Sequence, residues 1–379
     1  MRVLLDYRAA LRERSGVGEY THQLVRSLLA ARCTPRGAAL DLTIFSSSAK
    51  DRLIDDPALQ GARTVDRHIP VRLLNLAWHR LGWPPVETLA PGPFDVTHSL
   101  HPLLLPTRHA ARVVTIHDLN FLHHPERTRA EIRRDYPALA RIHAHRADQV
   151  IVVSQFTAGE VSRVLGVPDD RISICPPGRP AWQPRTSLPD GGGYVLFFGT
   201  LEPRKNVGAL LDAYERLAAR RSNLPELVLA GKATEQSGPW LERIARAPLD
   251  RWVRHIGYVP PDHRYDLYAG ARMLVQPSFE EGFGLPVLEA MTVGVPVIGA
   301  NAGAIPEVGG GAVQLFAPGD PDMLAKAIER LLDDDGLRAA CSSRGVARAA
   351  DFSWSRTAQD TLSAYDKAIV RRTRARGAA

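Results

Sequence analysis

The stretch Pro277-Ser278-Phe279-Glu280-Glu281-Gly282-Phe283-Gly284-Leu285-Pro286-Val287-Leu288-Glu289-Ala290 decides how this chain is read. The apolar run Met273-Leu274-Val275 enters it as a buried strand. Gly282 and Gly284 let the backbone approach a ligand closely. Pro286 stands at a first helical position, where its missing N–H costs nothing. The N–H groups of Leu285 to Leu288 are expected to point out of that helix start, and such a start attracts anions, phosphate above all. Glu281 precedes the helix and Glu289 lies about one turn inside it. Carboxylates accept hydrogen bonds from ribose or sugar hydroxyls while the helix start takes the charge, a combination that suits a nucleotide sugar. Strand, glycine turn and helix also occur throughout α/β proteins, so the rest of the chain must decide. A metal held by the two glutamates is disfavoured: no His or Cys lies near them, and hard cations take more oxygens.

The chain has 379 residues, long enough for two domains of ordinary size. Its three cysteines, Cys33, Cys175 and Cys341, are scattered and read as incidental thiols of a reducing compartment. Val3-Leu4-Leu5 meets Asp6 too soon for a signal peptide, and no apolar run approaches membrane-spanning length. A cytoplasmic protein is expected, able to touch the inner face of the membrane. The net charge of +7 is uneven. Residues 1–180 hold 24 Lys+Arg against 18 Asp+Glu, and residues 181–379 hold 24 against 23. A basic face in the first half suits anionic headgroups or a phosphorylated acceptor as well as it suits plain solvation. No zinc finger, aromatic RNA-binding motif or basic repeat is present, so nucleic acid is not an expected partner.

Along the first half, Arg2–Tyr7 reads as a buried strand, and Gly16 and Gly18 close a loop before a helix through Tyr20, Leu24, Val25, Leu28 and Leu29. Gly-x-Gly alone does not complete a dinucleotide fingerprint. Strands follow at 40–45, 95–98, 112–116 and 149–153. The fourth of these five strands ends in His117-Asp118, polar residues at the carboxyl end of a buried strand, where open α/β sheets bind ligands. His123-His124 reads as surface. Residues 69–83 carry apolar and aromatic residues among basic ones. They read as a packed core helix first, and as an amphipathic helix for a membrane surface or an acceptor second.

Residues 176–193 are rich in Pro and Gly and mark a linker. The alternation restarts at Tyr194-Val-Leu-Phe-Phe-Gly199, followed by Thr200-Leu-Glu-Pro-Arg204-Lys205-Asn206 and a helix. Two adjacent cations in a strand-to-helix loop suit a pyrophosphate. Further strands at 227–230, 253–259, 295–300 and 313–316 complete a second sheet, with Lys232 just beyond the end of the first and Tyr258 near the end of the second. Asp333-Asp334-Asp335 sits between two helical patterns and reads as a solvated helix end.

Glu281-x7-Glu289 with Gly-Phe-Gly-Leu-Pro between resembles the signature of retaining glycosyltransferases of family four, group 1. Gly-Thr-Leu-Glu-Pro-Arg-Lys-Asn resembles the family's second signature. The resemblance implies an α/β fold of GT-B type, two doubly wound Rossmann-like domains facing across a cleft. Residues 1–178 are then the acceptor-side domain, 179–193 the linker and 194–353 the nucleotide-sugar domain. A terminal helix near 354–372 packs back on the first domain and ends in a frayed basic tail at 371–376.

The resemblance also implies roles. Glu281 holds the sugar, with His117 and Asp118 facing it. Arg204, Lys205 and the amides of Gly284 and Leu285 stabilise the leaving diphosphate in place of a metal. Glu289 binds ribose. Gly16, Gly18, Gly199, Thr200, Lys232, Tyr258, Gly282 and Phe283 complete the donor site. No cofactor is expected. Lys205→Ala is expected to cut turnover and leave the fold intact. Asp6-Tyr7-Arg8, the Ser15–Tyr20 segment and the His-Asp-Leu segment look like bacterial mannosyltransferases of surface polysaccharide assembly. GDP-mannose is therefore preferred over UDP-glucose as donor, with a saccharide or lipid-linked acceptor. A UDP-sugar epimerase of the same fold and a non-catalytic nucleotide-sugar binding protein stay open as rivals.

Overall fold

The computed structural model describes residues 1–11, 14, 16–31, 37, 39–53, 55–127, 130–187 and 192–377. Ser15, Cys33 and the linker residues 188–191 lie outside them. Two compact units are present: Met1–Gly178 with Ser353–Ala379, and Arg179–Phe352. In each, short β-branched and leucine-rich runs with little polar interruption form the inner parallel strands, buried on both faces.

The first unit holds β1 (Arg2–Asp6), β2 (Asp41–Ser47), β3 (Arg63–Arg67), β4 (Val96–Ser99), β5 (Ala111–Ile116), β6 (Gln149–Val152) and β7 (Ile172–Ile174). They pair in parallel in the order β3-β2-β1-β4-β5-β6-β7. The second holds β8 (Tyr194–Phe198), β9 (Leu227–Ala230), β10 (Val253–Gly257), β11 (Ala271–Gln276), β12 (Val297–Ala300) and β13 (Gln314–Phe316), all parallel, in the order β10-β9-β8-β11-β12-β13. Each order runs outward from its first strand and then reverses, the doubly wound Rossmann-like pattern. The reversals lie between β1 and β4 and between β8 and β11. Ligands in open α/β sheets bind outside the carboxyl ends of the strands at such a reversal.

Helical spacing fixes which faces are covered. In the helix Val207–Ala218, Leu210, Leu211, Tyr214 and Leu217 are buried and join Phe197, Leu227 and Leu229 in one core. The helix Trp354–Gly377 belongs to the first unit and lies along the helix Val17–Ala31. Tyr365 reaches into the sheet, where its hydroxyl meets His98 Nδ1 at 2.7 Å while His98 Nε2 meets Thr115 Oγ1 at 2.8 Å.

Three sequence readings change. β3 was not legible within 51–93, because an edge strand pairs on one side and Arg63-Thr-Val-Asp-Arg67 keeps its side chains largely in solvent. Residues 69–83 pack on one side only: Leu74 and Trp78 are buried, whereas Leu73, Leu76, Leu81 and Trp83 are exposed. The basic tail is not frayed, since the last helix runs to Gly377. Arg371 holds it down, donating to the Asp148 carbonyl, Gln149 Oε1 and Asp170 Oδ2 at 2.8, 2.6 and 2.8 Å.

The first unit buries several histidines in neutral form. Burial is the largest cause in each case; it lowers His22, His117 and His143 to about 4, and His79 and His98 to about 3. Unfolding returns each to about 6.5. Between those values the unfolded chain binds more protons, so the first unit loses stability as pH falls below about 6.5, by up to about 2 kcal/mol at pH 5 for the fully buried His98 alone. Hydrogen exchange at pH 7 and pH 5, corrected for intrinsic rates, should show β1, β4 and β5 losing more protection than β8 and β11. Equal losses in the two units would contradict this account.

Candidate active site

The reversal in the second sheet gathers most of the residues expected to hold a donor. β8 runs out into a turn of 3-10 helix, Pro203–Lys205, and β11 runs out into Pro277–Glu281. The two loops are stitched together. Phe279 N–H donates to the Arg204 carbonyl at 2.9 Å, and Asn206 Nδ2 donates to the Pro277 carbonyl at 3.1 Å. Asn206 adopts φ of +52°, a conformation a non-glycine residue keeps only where its surroundings impose it.

This stitching places two cations on one carboxylate. Lys205 Nζ donates to Glu281 Oε1 at 2.6 Å, and Arg204 Nη1 lies 3.5 Å from Oε2. Ser278 Oγ and Gln276 Nε2 also donate to Oε1, at 2.6 and 2.8 Å. All these groups but Arg204 are buried. Burial alone would raise the Glu281 pKa, but Lys205, Arg204 and the hydrogen bonds bring it down to about 2, so the carboxylate is ionised. Arg204 is braced from the other side by Glu202, 2.6 Å from its Nε.

Glycines open the space beside this pair. A Cβ on Gly231 would stand 2.0 Å from the Gly199 carbonyl, so only glycine fits there. Gly199 N–H donates to Ala230 and Gly231 N–H to Gly257, which layers the ends of β8, β9 and β10 without side chains. Thr200, Lys232 and Tyr258 follow these glycines directly.

On the β11 side the helix Leu285–Val293 starts at Gly284, with φ of +94°. The expected row of outward amides is shorter than foreseen. Pro286 has no N–H, and those of Val287 and Leu288 turn back to the Gly284 carbonyl. The amides of Gly284 and Leu285 are left as the anion-binding candidates. Gly282 is buried within the loop, and Phe283 packs on Phe352 at 5.6 Å between ring centroids.

Glu289 sits on the buried side of that helix, where Tyr268 donates its hydroxyl to Oε2 at 2.7 Å and Arg264 Nη1 lies 3.8 Å from Oε1. Arg264 lies over the Phe198 ring, which itself packs on Tyr268.

In the first unit, His117 follows β5. Its Nε2 meets the Leu100 carbonyl at 3.2 Å and its ring meets Tyr20 edge-on at 4.9 Å. Asp118 Oδ1 accepts from Asn120 N–H at 3.2 Å and so starts the next turn. Gly18 packs the helix Val17–Ala31 on the preceding turn; a Cβ there would meet the Ala9 carbonyl at 2.7 Å. Gly16 provides the left-handed step before it.

Comparison with known proteins gives this geometry its family. Residues 178–348 match the profile described as glycosyl transferases group 1, and residues 14–181 match that described as glycosyltransferase family 4. The chain is also 35% identical over 272 residues to O-antigen chain mannosyltransferase B of Escherichia coli, covering 69% of this chain and 71% of that protein. The chain belongs to the family 4, group 1 glycosyltransferases. Solved structures agree on the GT-B fold. Sucrose-phosphate synthase from Thermosynechococcus elongatus superposes with a TM-score of 0.78 at 20% identity, over 96% of this chain and 98% of that one. HepE of Anabaena, solved with UDP and glucose, gives 0.69 at 18% identity over the same shares.

The sequence missed several partners of this glycosyltransferase's site. Gln276 and Ser278 carry no pattern beyond lying at a strand end. Arg264 and Tyr268, four apart on the helix Pro261–Ala269, offered one signal: polar groups repeating on a face that must be buried. A polar cluster at the reversal of the first sheet was missed too. Buried Asp6 takes a forked pair of bonds from Arg8, at 2.9 and 2.7 Å, and faces His101 Nε2 at 3.4 Å. Arg8 also donates to Asn75 at 2.8 Å.

The Lys205→Ala expectation now needs correcting, because Lys205 is buried against Glu281. Its removal strands a buried carboxylate and should cost about 3 kcal/mol of stability along with activity. Lys205→Met combined with Glu281→Gln removes both charges and should recover most of that loss, while activity stays absent. Urea unfolding followed beside turnover separates the two. A fully stable Lys205→Ala variant would show that the pair is not buried in solution.

Proposed function

We propose that this glycosyltransferase moves mannose from GDP-mannose to a hydroxyl of a saccharide or lipid-linked saccharide, with retention at the anomeric carbon. The single observation that carries the chemistry is the Lys205–Glu281–Arg204 arrangement at the strand-order reversal of the second sheet. The similarity to mannosyltransferase B of Escherichia coli supports the choice of sugar and of a saccharide acceptor.

The reaction breaks the bond from the sugar's C1 to the diphosphate oxygen and forms one from C1 to the acceptor oxygen. Negative charge grows on the leaving diphosphate. Lys205, held against Glu281, and Arg204, braced by Glu202, stabilise that charge, aided by the amides of Gly284 and Leu285. These donors fill the place a divalent metal takes in other sugar transfers. The acceptor's proton passes to the departing phosphate oxygen on the same face, so no protein nucleophile is required. Glu289 accepts from ribose hydroxyls, with Tyr268 and Arg264 fixing its direction. Gly199, Thr200, Gly231, Lys232 and Tyr258 border the base and phosphates, and Gly282 and Phe283 shape the loop. The family resemblance also supports roles for His117, neutral at working pH, Asp118, Gly16 and Gly18 of the first unit in holding the sugar and the donor. Nucleotide sugars place this work in the cytoplasm. UDP-glucose as donor would use the same cations and differ at the base.

A thermal-shift panel of GDP, UDP and ADP in the presence of EDTA tests the donor. GDP at a hundred times its dissociation constant should stabilise the native state by about 2.7 kcal/mol, and the other two less at the same concentration. A response to UDP alone would move the donor to a UDP-sugar. Glu289→Gln should raise KM for the donor at least about tenfold, the loss of one charge-assisted bond, and an unchanged KM would remove Glu289 from the ribose site.

A further inference from the structure

We propose that Trp182 is a positioning residue for nucleotide binding: it holds Tyr268, and through Tyr268 it aims Glu289. The inference rests on the reading of Glu289 as the ribose ligand and adds a residue that acts through another side chain.

The stretch Pro180-Ala181-Trp182-Gln183-Pro184-Arg185 has no regular structure, in keeping with its two prolines. It belongs to the second unit, which begins at Arg179. An irregular backbone must settle its polar groups outside itself, and this one does so on two helices at once. Arg185 N–H donates at 3.0 Å to the carbonyl of Val293, the last residue of the helix that carries Glu289. Arg185 Nη1 donates to the Ala269 carbonyl at 3.1 Å and to that of Ala271. Ala269 closes the helix that carries Arg264 and Tyr268. The last carbonyls of a helix have no partner within it, so a guanidinium there secures the end. Tyr194 takes a further one, donating to the Leu267 carbonyl at 2.6 Å. The segment therefore ties the ends of both helices that build the Glu289 site.

Trp182 covers the side of this joint. Its half-buried ring stands 5.9 Å from that of Tyr268 and 6.0 Å from that of Tyr265, between centroids. Tyr268 also packs on Phe198 at 5.5 Å and is closed to solvent. A ring held on this many sides keeps one orientation, and the Tyr268 hydroxyl then meets Glu289 Oε2 at 2.7 Å. Without the indole, Tyr268 gains room to tilt and Glu289 loses a fixed donor. Ribose hydroxyls would meet a carboxylate that must be ordered during binding, and that ordering weakens affinity.

Isothermal titration of the full chain with GDP, or with UDP where the thermal panel selects it, reads the effect without an acceptor. Trp182→Ala should raise the dissociation constant about three- to tenfold, the worth of one aromatic pair, and Trp182→Phe should restore most of the affinity. In the Glu289→Gln background Trp182→Ala should add less than about twofold, because its effect passes through that carboxylate. Trp252→Ala, at a half-buried tryptophan just before β10, should bind as the wild type does. An unchanged dissociation constant in Trp182→Ala, beside weakened binding in Glu289→Gln, overturns the proposal alone. Full additivity of the two changes, or equal weakening by Trp252→Ala, also overturns it and makes Trp182 general packing. Unchanged binding in Glu289→Gln removes the ribose reading and the proposal with it. Should Trp182→Ala melt early, Trp182→Leu replaces it under the same criteria.

Discussion

A buried carboxylate with two cations on it is costly to form and hard to displace. Glu281 and Lys205 lie 2.6 Å apart with both side chains nearly closed to solvent. Desolvation of each charge would outweigh their attraction if the remaining lone pairs were left empty. Ser278 and Gln276 fill them. The pair therefore exists only because β11 delivers Gln276, Ser278 and Glu281 within six residues, and because β8 delivers Lys205 through a turn pinned to the β11 loop. The strand order that makes β8 and β11 neighbours is what this site rests on.

The same constraint explains the local departures from ordinary backbone. Asn206 takes a left-handed conformation so that its amide reaches Pro277. Gly231 is bare because the Gly199 carbonyl occupies its Cβ position. Each local cost falls at the carboxyl edge of the second sheet, where the loops converge, and the interior core of Phe197, Leu210 and Tyr214 offsets it.

Much of this was legible in the sequence for physical reasons. Buried parallel strands are apolar runs, so Met273-Leu274-Val275 and Tyr194 to Phe198 announce themselves. Glycines and paired cations between such runs announce a phosphate-type loop, and Glu281 and Glu289 stand out at their spacing. What was not legible depends on contacts across the chain. Gln276 matters through a carboxylate five residues on, Tyr268 through one 21 residues on, and Arg8 through Asn75, 67 residues away. β3 escaped because an edge strand need not be apolar. The terminal helix was legible but its end was read as a tail, because Arg371 finds its acceptors on β6 and in the turn before β7.

The structure also narrows what Glu281 can do. A carboxylate offers roughly four lone-pair sites. Oε1 already receives Lys205, Ser278 and Gln276, so it has no capacity left for a sugar hydroxyl. Among the described residues Oε2 meets Arg204 alone, at a marginal 3.5 Å. Any hydroxyl of a bound sugar must therefore meet Oε2 and compete with Arg204 for it. A diphosphate arriving beside Arg204 draws that guanidinium away, since a forked phosphate contact outbids a single long one. In the proposed reaction, donor charge and sugar hydroxyl would be coupled in this way: the phosphate would take the arginine and thereby free the oxygen that the sugar needs. Glu281 is a counter-ion in the structure, and under the proposed function its second oxygen would serve the sugar.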